Sequence, residues 1–307
     1  MIIVFGSLNI DMVLPVETMP RAGDTVLCPE YSLHPGGKGA NQAVAAARVG
    51  ADVYMFGCVG NDSFGKICQD SLEKTGVITD HIKVSGTPTG CATICVDKSG
   101  ENMITVASGA NLDAKSSHVM DDFLSDQTTL VLQMEVPAQE NWSLIQRAHA
   151  HGTRIILNLA PARQVPDDIL KSLSVLVMNQ IEATVLALNL GFDVISPTIA
   201  ARRISAKYGI TAIVTLGADG AFAASPQGTW TVQALPIKAI DTTAAGDAFV
   251  GVLAASLDQN LSLDQSLKRA AVASGLACMT RGAQPSLPTL DRVDSTLSQI
   301  QTPKRAV

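Results

Sequence analysis

Short apolar runs recur along this chain at residues 2–5, 53–59, 130–132, 154–157, 175–177 and 212–215, and they constrain its fold more than any other feature. A strand with one wet face alternates apolar and polar residues, whereas a continuous apolar run marks a strand buried on both sides, as in parallel sheets. Segments of helical spacing lie between the runs, at 42–49, from Asp62 to Lys74, at 139–150 and at 263–279. This alternation predicts an α/β protein: an open, mostly parallel sheet with helices on both faces. At 307 residues, 47% apolar and 16% charged, the chain has enough apolar residues for a sizeable core and too few charges for disorder. No internal repeat and no separating linker is found, so residues 1–307 read as one domain. The rhythm breaks at about 12–33, rich in Pro and Gly with extended pieces such as 25–27, and again at 88–107. In Cys91-Ala-Thr-Ile-Cys-Val96 neither face is clearly polar, as in a sheet covered on both sides. These two segments read as a small β-rich lid whose second face is covered by substrate, by a partner subunit or by both. A homodimer through the lid is the partner expected.

The formal net charge of −6 provides no basic face for nucleic acid, so any anionic ligand must be held locally. No apolar run approaches the ~18 residues of a membrane span. The first six residues lack a basic region and a cleavage site, and read as a strand. The six cysteines (28, 58, 68, 91, 95 and 278) form no CxxC pair; reduced, mostly buried thiols in a cytoplasmic protein are the simplest account.

The most informative stretch is Asp241-Thr-Thr-Ala-Ala-Gly-Asp247-Ala-Phe-Val-Gly251, a loop running into a helix. The first turn of a helix has unpaired N–H groups and the positive end of the dipole. The small residues Ala244, Ala245 and Gly246 let an anion approach them. Asp247 is then either a base for a hydroxyl that attacks a bound phosphate, or a favourable charge at a helix start. As a base it is expected to stay ionised, with a low pKa maintained by the helix N-terminus. Asn9 and Asp11, two apart, share one side of an extended chain and suit the neighbouring hydroxyls of a polyol, or else form a turn. In His34-Pro-Gly36-Gly37-Lys38-Gly-Ala-Asn41, the glycines bring backbone N–H groups to a ligand with Lys38 and Asn41 as polar hooks, or make a tight capped loop. The spacing fits neither a Walker A loop nor a dinucleotide fingerprint. Glu135 stands at the carboxyl end of a strand, where open sheets bind ligands. Asn179 and Glu182 share a face at a helix start, fitting a hydrated magnesium ion or a capping box. Thr215, Gly217 and Gly220 lie in the next strand's turn, placed to meet phosphates.

Taken together, Gly6-Ser-Leu-Asn-Ile-Asp11, Gly36-Gly-Lys-Gly-Ala-Asn-Gln-Ala-Val-Ala-Ala46, Asn179-x-x-Glu182, Thr215-Leu-Gly217, the Asp241–Asp247 stretch and Gly282-Ala-Gln-Pro-Ser286 resemble the ribokinase (PfkB-type) carbohydrate kinase family over essentially the whole chain. The resemblance implies direct transfer of the γ-phosphate of ATP to a primary hydroxyl, with D-ribose to ribose 5-phosphate favoured by the Gly-Lys-Gly loop. Deoxyribose, fructose or a nucleoside stay open as acceptors, as does a non-catalytic sugar or nucleotide sensor on the same fold. It further implies Asp247 as base, the N–H groups of Ala245, Gly246 and Asp247 as anion hole, and Asn9, Asp11, Gly37, Lys38, Asn41 and Glu135 as sugar ligands. Asn179 and Glu182 would organise Mg2+, and Thr215 and Gly217 the nucleotide. Asp241, Thr243, Ala277, Thr280, Gly282 and Ser286 would hold K+, largely by carbonyls. Ala271 stands where relatives often carry Asn or His near adenine.

Overall fold

A computed structural model describes residues 1–99, 101–193 and 196–306; position 100, inside the second lid segment, lies outside them. In chain order the first half contains β1 (Ile2–Phe5), β2 (Asn9–Pro15), β3 (Ser32–Gly36), α1 (Lys38–Arg48), β4 (Val53–Gly60) and α2 (Ser63–Glu73). It continues with β5 (Ile82–Ser85), β6 (Gly90–Val96), β7 (Asn102–Ala107), β8 (Thr129–Leu132), α3 (Ala138–Ala150) and β9 (Arg154–Asn158). The second half contains α4 (Asp167–Ser172), β10 (Val175–Asn179), α5 (Gln180–Asn189), α6 (Pro197–Tyr208), β11 (Thr211–Thr215) and the hairpin β12 (Ala221–Ser225) and β13 (Gly228–Val232). It closes with α7 (Ala245–Asp258), α8 (Leu263–Ala277), α9 (Leu290–Thr296) and β14 (Lys304–Ala306).

The expected open sheet is present, in the order β14-β13-β12-β11-β10-β9-β8-β1-β4-β5. Strands β5 through β11 in that order are parallel, and β12 to β14 add an antiparallel edge. Alternate residues of β1 feed two separate cores. Ile2 and Val4 pack with residues of α1, α2, α7 and α8, while Ile3 and Phe5 pack with residues of α3, α4, α5 and α6. Burial on both faces is why the run has no polar alternation. After β1 the chain passes to β4 on one side and returns to β8 on the other, so the strand order reverses at β1. The crevice at the carboxyl end of such a reversal is where open α/β sheets bind ligands.

A second sheet, β3-β2-β6-β7, forms the lid-like element, with β2 antiparallel to β3, parallel to β6, and β6 antiparallel to β7. Strands β2 and β3 lie at the flanks of the Pro/Gly-rich segment, and β6 and β7 within the second segment. Residues 25–27, expected to be extended, form no strand. In β6 Gly90 and Ala92 are buried and the other residues half-buried, and β7 is exposed throughout. The β7 edge of this sheet is thus open to solvent in the monomer. Helix α1 starts at Lys38, four residues before the expected 42, because Gly37 at φ 88° serves as its N-cap.

Tight helix packing connects this scaffold to the crevice. A Cβ added at Gly251 of α7 would lie 2.5 Å from the Gln42 carbonyl oxygen and 2.6 Å from the Ala45 Cβ of α1. The two helices therefore touch backbone to backbone, and the first turn of α1 reaches the first turn of α7. Elsewhere, Met103, Ile104 and Val106 of β7 are 47%, 52% and 48% exposed, an apolar edge that a second copy of the lid would cover. If lids pair, the protein sediments at twice the mass of one chain and Ile104→Lys shifts it to the monomer. A wild-type chain that sediments as a monomer at micromolar concentration refutes the pairing.

Candidate active site

The glycine loop is shaped by close contact with the β1–β2 junction. A Cβ at Gly37 would lie 2.8 Å from the Asn9 nitrogen, and at Gly39 2.6 Å from the Ser7 nitrogen. At Gly36 it would lie 2.3 Å from Asp11 Oδ2, so this glycine makes room for the Asp11 carboxylate. Three of the N–H groups that the sequence offered to a ligand are engaged within the protein. Lys38 N donates to Glu135 Oε2 at 3.1 Å, Gly39 N to Ser7 Oγ at 3.3 Å and Ala40 N to the Ser7 carbonyl at 2.9 Å. Ser7 Oγ also donates to Glu135 Oε2 at 2.6 Å. Ser7 and Glu135 thus cap α1, and the loop contributes the side chains of Lys38 and Asn41 to the crevice.

Asn9 is 3% exposed, and its Oδ1 accepts from Asn111 Nδ2 at 2.7 Å. Asn111 also bridges to Leu8, accepting from its N–H at 2.9 Å. The sequence reading missed Asn111 because nothing around it repeats. Burial pushes the Asp11 carboxyl up to about 6, reinforced by Glu135 and Asp247 and opposed by Lys38. For Lys38, burial alone would lower the pKa, but the carboxylates of Asp247, Glu135, Glu182 and Asp11 outweigh it and the net shift is upward. Four carboxylates thus share one ammonium.

Asp247 is 7% exposed. Its Oδ2 accepts from Asn41 Nδ2 at 3.0 Å and its Oδ1 from Gln42 Nε2 at 2.9 Å. The expectation of a low-pKa carboxylate is overturned. Burial raises its pKa, and Lys38, Asn41 and Gln42 only partly compensate while Glu135 adds to the rise. The helix start is built as expected except at one donor. Ala244, at φ 59°, is the N-cap in the left-handed region, a strained state for a non-glycine residue. The N–H of Ala245 is already taken by the Thr242 carbonyl at 3.2 Å. Among the described residues no hydrogen bond engages the N–H groups of Gly246 and Asp247. A Cβ at Gly246 would meet nothing within 4 Å, so the space in front of it is open.

That space is a cavity of about 210 Å³ lined by Lys38, Asn158, Asn179, Glu182, Thr215, Ala244, Gly246 and Asp247, among others. Asn179 and Glu182 do form the capping box: Glu182 N donates to Asn179 Oδ1 at 2.9 Å and Asn179 N to Glu182 Oε2 at 2.7 Å. The same pair lines the cavity, so capping and ligand contact are compatible. Burial raises the Glu182 pKa against the opposing Asn179 hydrogen bond and Lys38. Thr215 reaches the cavity from the end of β11. Gly217 sits in the following turn at φ 62°, and Gly220, at φ 90°, would place a Cβ 2.0 Å from the Val232 carbonyl oxygen. Gly220 is therefore required by packing against the end of β13. Ala271 is buried in the core.

Asp241 joins two loops. Its Oδ1 accepts from Thr243 N at 2.9 Å and Thr243 Oγ1 at 2.6 Å, and its Oδ2 from Gly282 N at 2.8 Å. Burial would raise its pKa, but these bonds and Arg281 bring it below the usual carboxylate value. Thr280 N donates to the Ala277 carbonyl at 3.3 Å, and Ser286 Oγ to the Ala283 carbonyl at 2.7 Å. These contacts gather the 241–243 and 277–286 segments on one side of the α7 start.

A buried carboxylate beside open helix N–H groups is an arrangement suited to an alcohol acceptor and a phosphoryl group, the substrates of a phosphotransferase. Comparison with known proteins supplies the family. Residues 1–290 match the pfkB family carbohydrate kinase model, and the chain belongs to that family. It is 36% identical over 310 residues to a ribokinase of Schizosaccharomyces pombe, covering 97% of this chain and 98% of the relative. The solved ribokinase of Thermotoga maritima superposes with a TM-score of 0.91 at 32% identity, covering 97% of this chain and 99% of that one. The Arabidopsis thaliana ribokinase complexed with ribose and ATP gives 0.86 at 28% identity, covering 96% and 98%.

Asp11 has a consequence for stability. Its folded pKa of about 6 lies above its ordinary 3.8, so the native state binds the proton more tightly than the unfolded chain does. Its contribution to stability is therefore undiminished below pH ~4 and is lost as pH rises through about 6. Without ligands, Asp11→Asn should melt higher than wild type at pH 7.5 and show no advantage near pH 4; a variant that melts lower at pH 7.5 contradicts this.

Proposed function

We propose that this chain is an ATP-dependent ribose kinase, which moves the γ-phosphate of ATP to the primary hydroxyl of D-ribose and yields ribose 5-phosphate. The observation that carries the reading is the buried Asp247 carboxylate beside the open N–H groups of Gly246 and itself, facing a cavity lined by Lys38. Similarity to ribokinases, including one complexed with ribose and ATP, supports the choice of sugar and nucleotide.

In this reading Asn9, Asp11, Gly36, Gly37, Lys38, Asn41 and Glu135 form the sugar subsite. Asn41 uses its amide nitrogen on Asp247, and its Oδ1 is buried without a partner, an acceptor left for a sugar hydroxyl. A base raised by burial is better matched to proton abstraction near neutrality than a fully exposed aspartate. Lys38 neutralises the phosphoryl oxygens from one side and the α7 start from the other. Thr215 and Gly217 border the nucleotide. The residues lining the cavity fit Mg2+ held through water: one Glu182 oxygen remains beyond the capping box, beside Asn179. Bound there, the ion would neutralise charge on the phosphates. The ionised Asp241 and the carbonyls of Thr243, Ala277, Thr280 and Gly282, with Ser286, form an oxygen-only donor set suited to K+, which would shape the adjoining anion hole. The small sheet, with lid segments at about 12–33 and 88–107, closes over the sugar and excludes water, so that ATP is not spent on hydrolysis. Six free cysteines fit a reducing, cytoplasmic setting.

ADP release measured with Mg-ATP, K+ and a panel of pentoses, hexoses and nucleosides should be fastest with D-ribose; a clear preference for another acceptor overturns the sugar assignment. Asp247→Asn should bind ATP normally and lose about 10²–10⁴-fold in turnover, and near-normal turnover would remove the base. Exchanging K+ for Na+ or choline should lower the rate, and equal rates in all three salts would discard the cation site.

A further inference from the structure

A row of buried carboxamides lies beside Asp247: Asn158 borders the cavity, while Gln42 and Gln133 are not among the residues that line it. Gln42 of α1 and Gln133, just past β8, are both 0% exposed, and Asn158 at the end of β9 is 8% exposed. Gln42 Nε2 uses both hydrogens, one to Asp247 Oδ1 at 2.9 Å and one to Asn158 Oδ1 at 3.0 Å. Its Oε1 accepts from Gln133 Nε2 at 2.8 Å. Only one orientation of the Gln42 amide is tenable. Reversed, it would set its oxygen against two acceptor oxygens and its NH2 against that of Gln133. The Gln133 backbone is held by α3, since its main-chain carbonyl accepts from Asn141 Nδ2 at 2.7 Å, and its side-chain amide is oriented by the bond it donates to Gln42 Oε1. The arrangement is poor for stability: Gln133 Oε1 is buried without a partner, and an unsatisfied buried acceptor is destabilising. Gly6 is needed to admit that oxygen, because a Cβ there would lie 1.9 Å from it. Apolar side chains of similar size would pack these positions without such a cost.

We propose that Gln42, locked by Gln133, is a positioning residue for the base: the relay fixes the rotamer of the Asp247 carboxylate and anchors Oδ1, while Asn41 holds Oδ2 beside the sugar. The inference rests on the reading of Asp247 as the base. It extends the site by two residues, Gln42 and Gln133, that do not line the cavity. Each Asp247 oxygen accepts one amide hydrogen and keeps lone-pair capacity, so the carboxylate cannot turn away from the acceptor hydroxyl without breaking two buried bonds. The charged groups facing Asp247 are Lys38 on α1, Asp11 on β2, Glu135 after β8 and Glu182 on α5. None of them is altered in the variants below.

The test uses the full chain with D-ribose and Mg-ATP, recording kcat and KM against pH and the melting temperature. Gln42→Met removes the donor at nearly constant volume. Turnover should fall about 100-fold, the scale of a small misplacement of a reacting group, with KM for ATP unchanged. Because the lost hydrogen bond favoured the ionised carboxylate, the acid limb of kcat should move to higher pH. Gln133→Met, which does not touch Asp247, should move the limb the same way by less, and it carries the test should Gln42→Met fail to fold. Lower turnover with an unmoved acid limb in both folded variants, or in Gln133→Met alone if only that one folds, means a packing role and overturns the proposal, as does unchanged turnover. A wild-type chain that releases no ADP with any sugar, or an Asp247→Asn variant that still turns over, overturns the base assignment and this proposal with it. An active wild type, an inactive Asp247→Asn and an unmoved limb in every variant that folds overturn this proposal alone.

Discussion

The close approach of α1 to α7 is the contact on which the site depends. Gly251 and Ala45 are small enough for the helix backbones to touch, and this brings Asn41 and Gln42, more than two hundred residues away in sequence, onto the two oxygens of Asp247. A larger side chain at the crossing would wedge the helices apart, and packed interiors relax only partly around such an insertion. The acid would then lose both donors and stand alone in a dry pocket, where an unpaired carboxylate is costly.

The same economy of volume governs the other side of the crevice. Gly36, Gly37 and Gly39 let the α1 start press against the Gly6–Asn9 junction of the central strand. Lys38 is thereby set among Asp11, Glu135, Glu182 and Asp247. Burial raises the pKa values of Asp11, Glu182 and Asp247, and neighbouring carboxylates add to the rise while the one ammonium opposes it. Such stored electrostatic tension is common where a site awaits ligands that carry compensating groups. The reversal of strand order at β1 explains why all of this collects at one place: the ends of β1 and β8 open into the same crevice.

Several residues now central to the site could not be singled out beforehand. Ser7 and Gln42 lie within motifs that carry the family resemblance but showed no role of their own there, and Asn111 carries no pattern. Their importance lies in partners far along the chain, which spacing does not report. The glycine loop was read as either a ligand cradle or a tight capped loop, and the second is present: Gly37 and Gly39 serve close packing, and the N–H groups of Lys38 and Gly39 go to Glu135 and Ser7. Gly220 answers to the Val232 backbone. Asn179 and Glu182 presented a choice between cap and ligand that the geometry dissolves, since the pair does the first while bordering the cavity. The late helix α9 and the short edge strands β5 and β14 were not anticipated, because runs this short have little periodicity to read.

The layered α/β plan was legible from the sequence alone, because strands buried on both faces must be apolar throughout and amphipathic helices must repeat at their own period. So was the helix start at Ala244–Asp247, whose small residues and acid are contiguous. The proton affinity of that acid was not. It is set by desolvation and by charges at positions 11, 38, 135 and 182, together with amides at 41 and 42, which only the folded chain assembles. Electrostatic energy depends on distance in space and on the exclusion of water, and neither is a property of neighbouring letters.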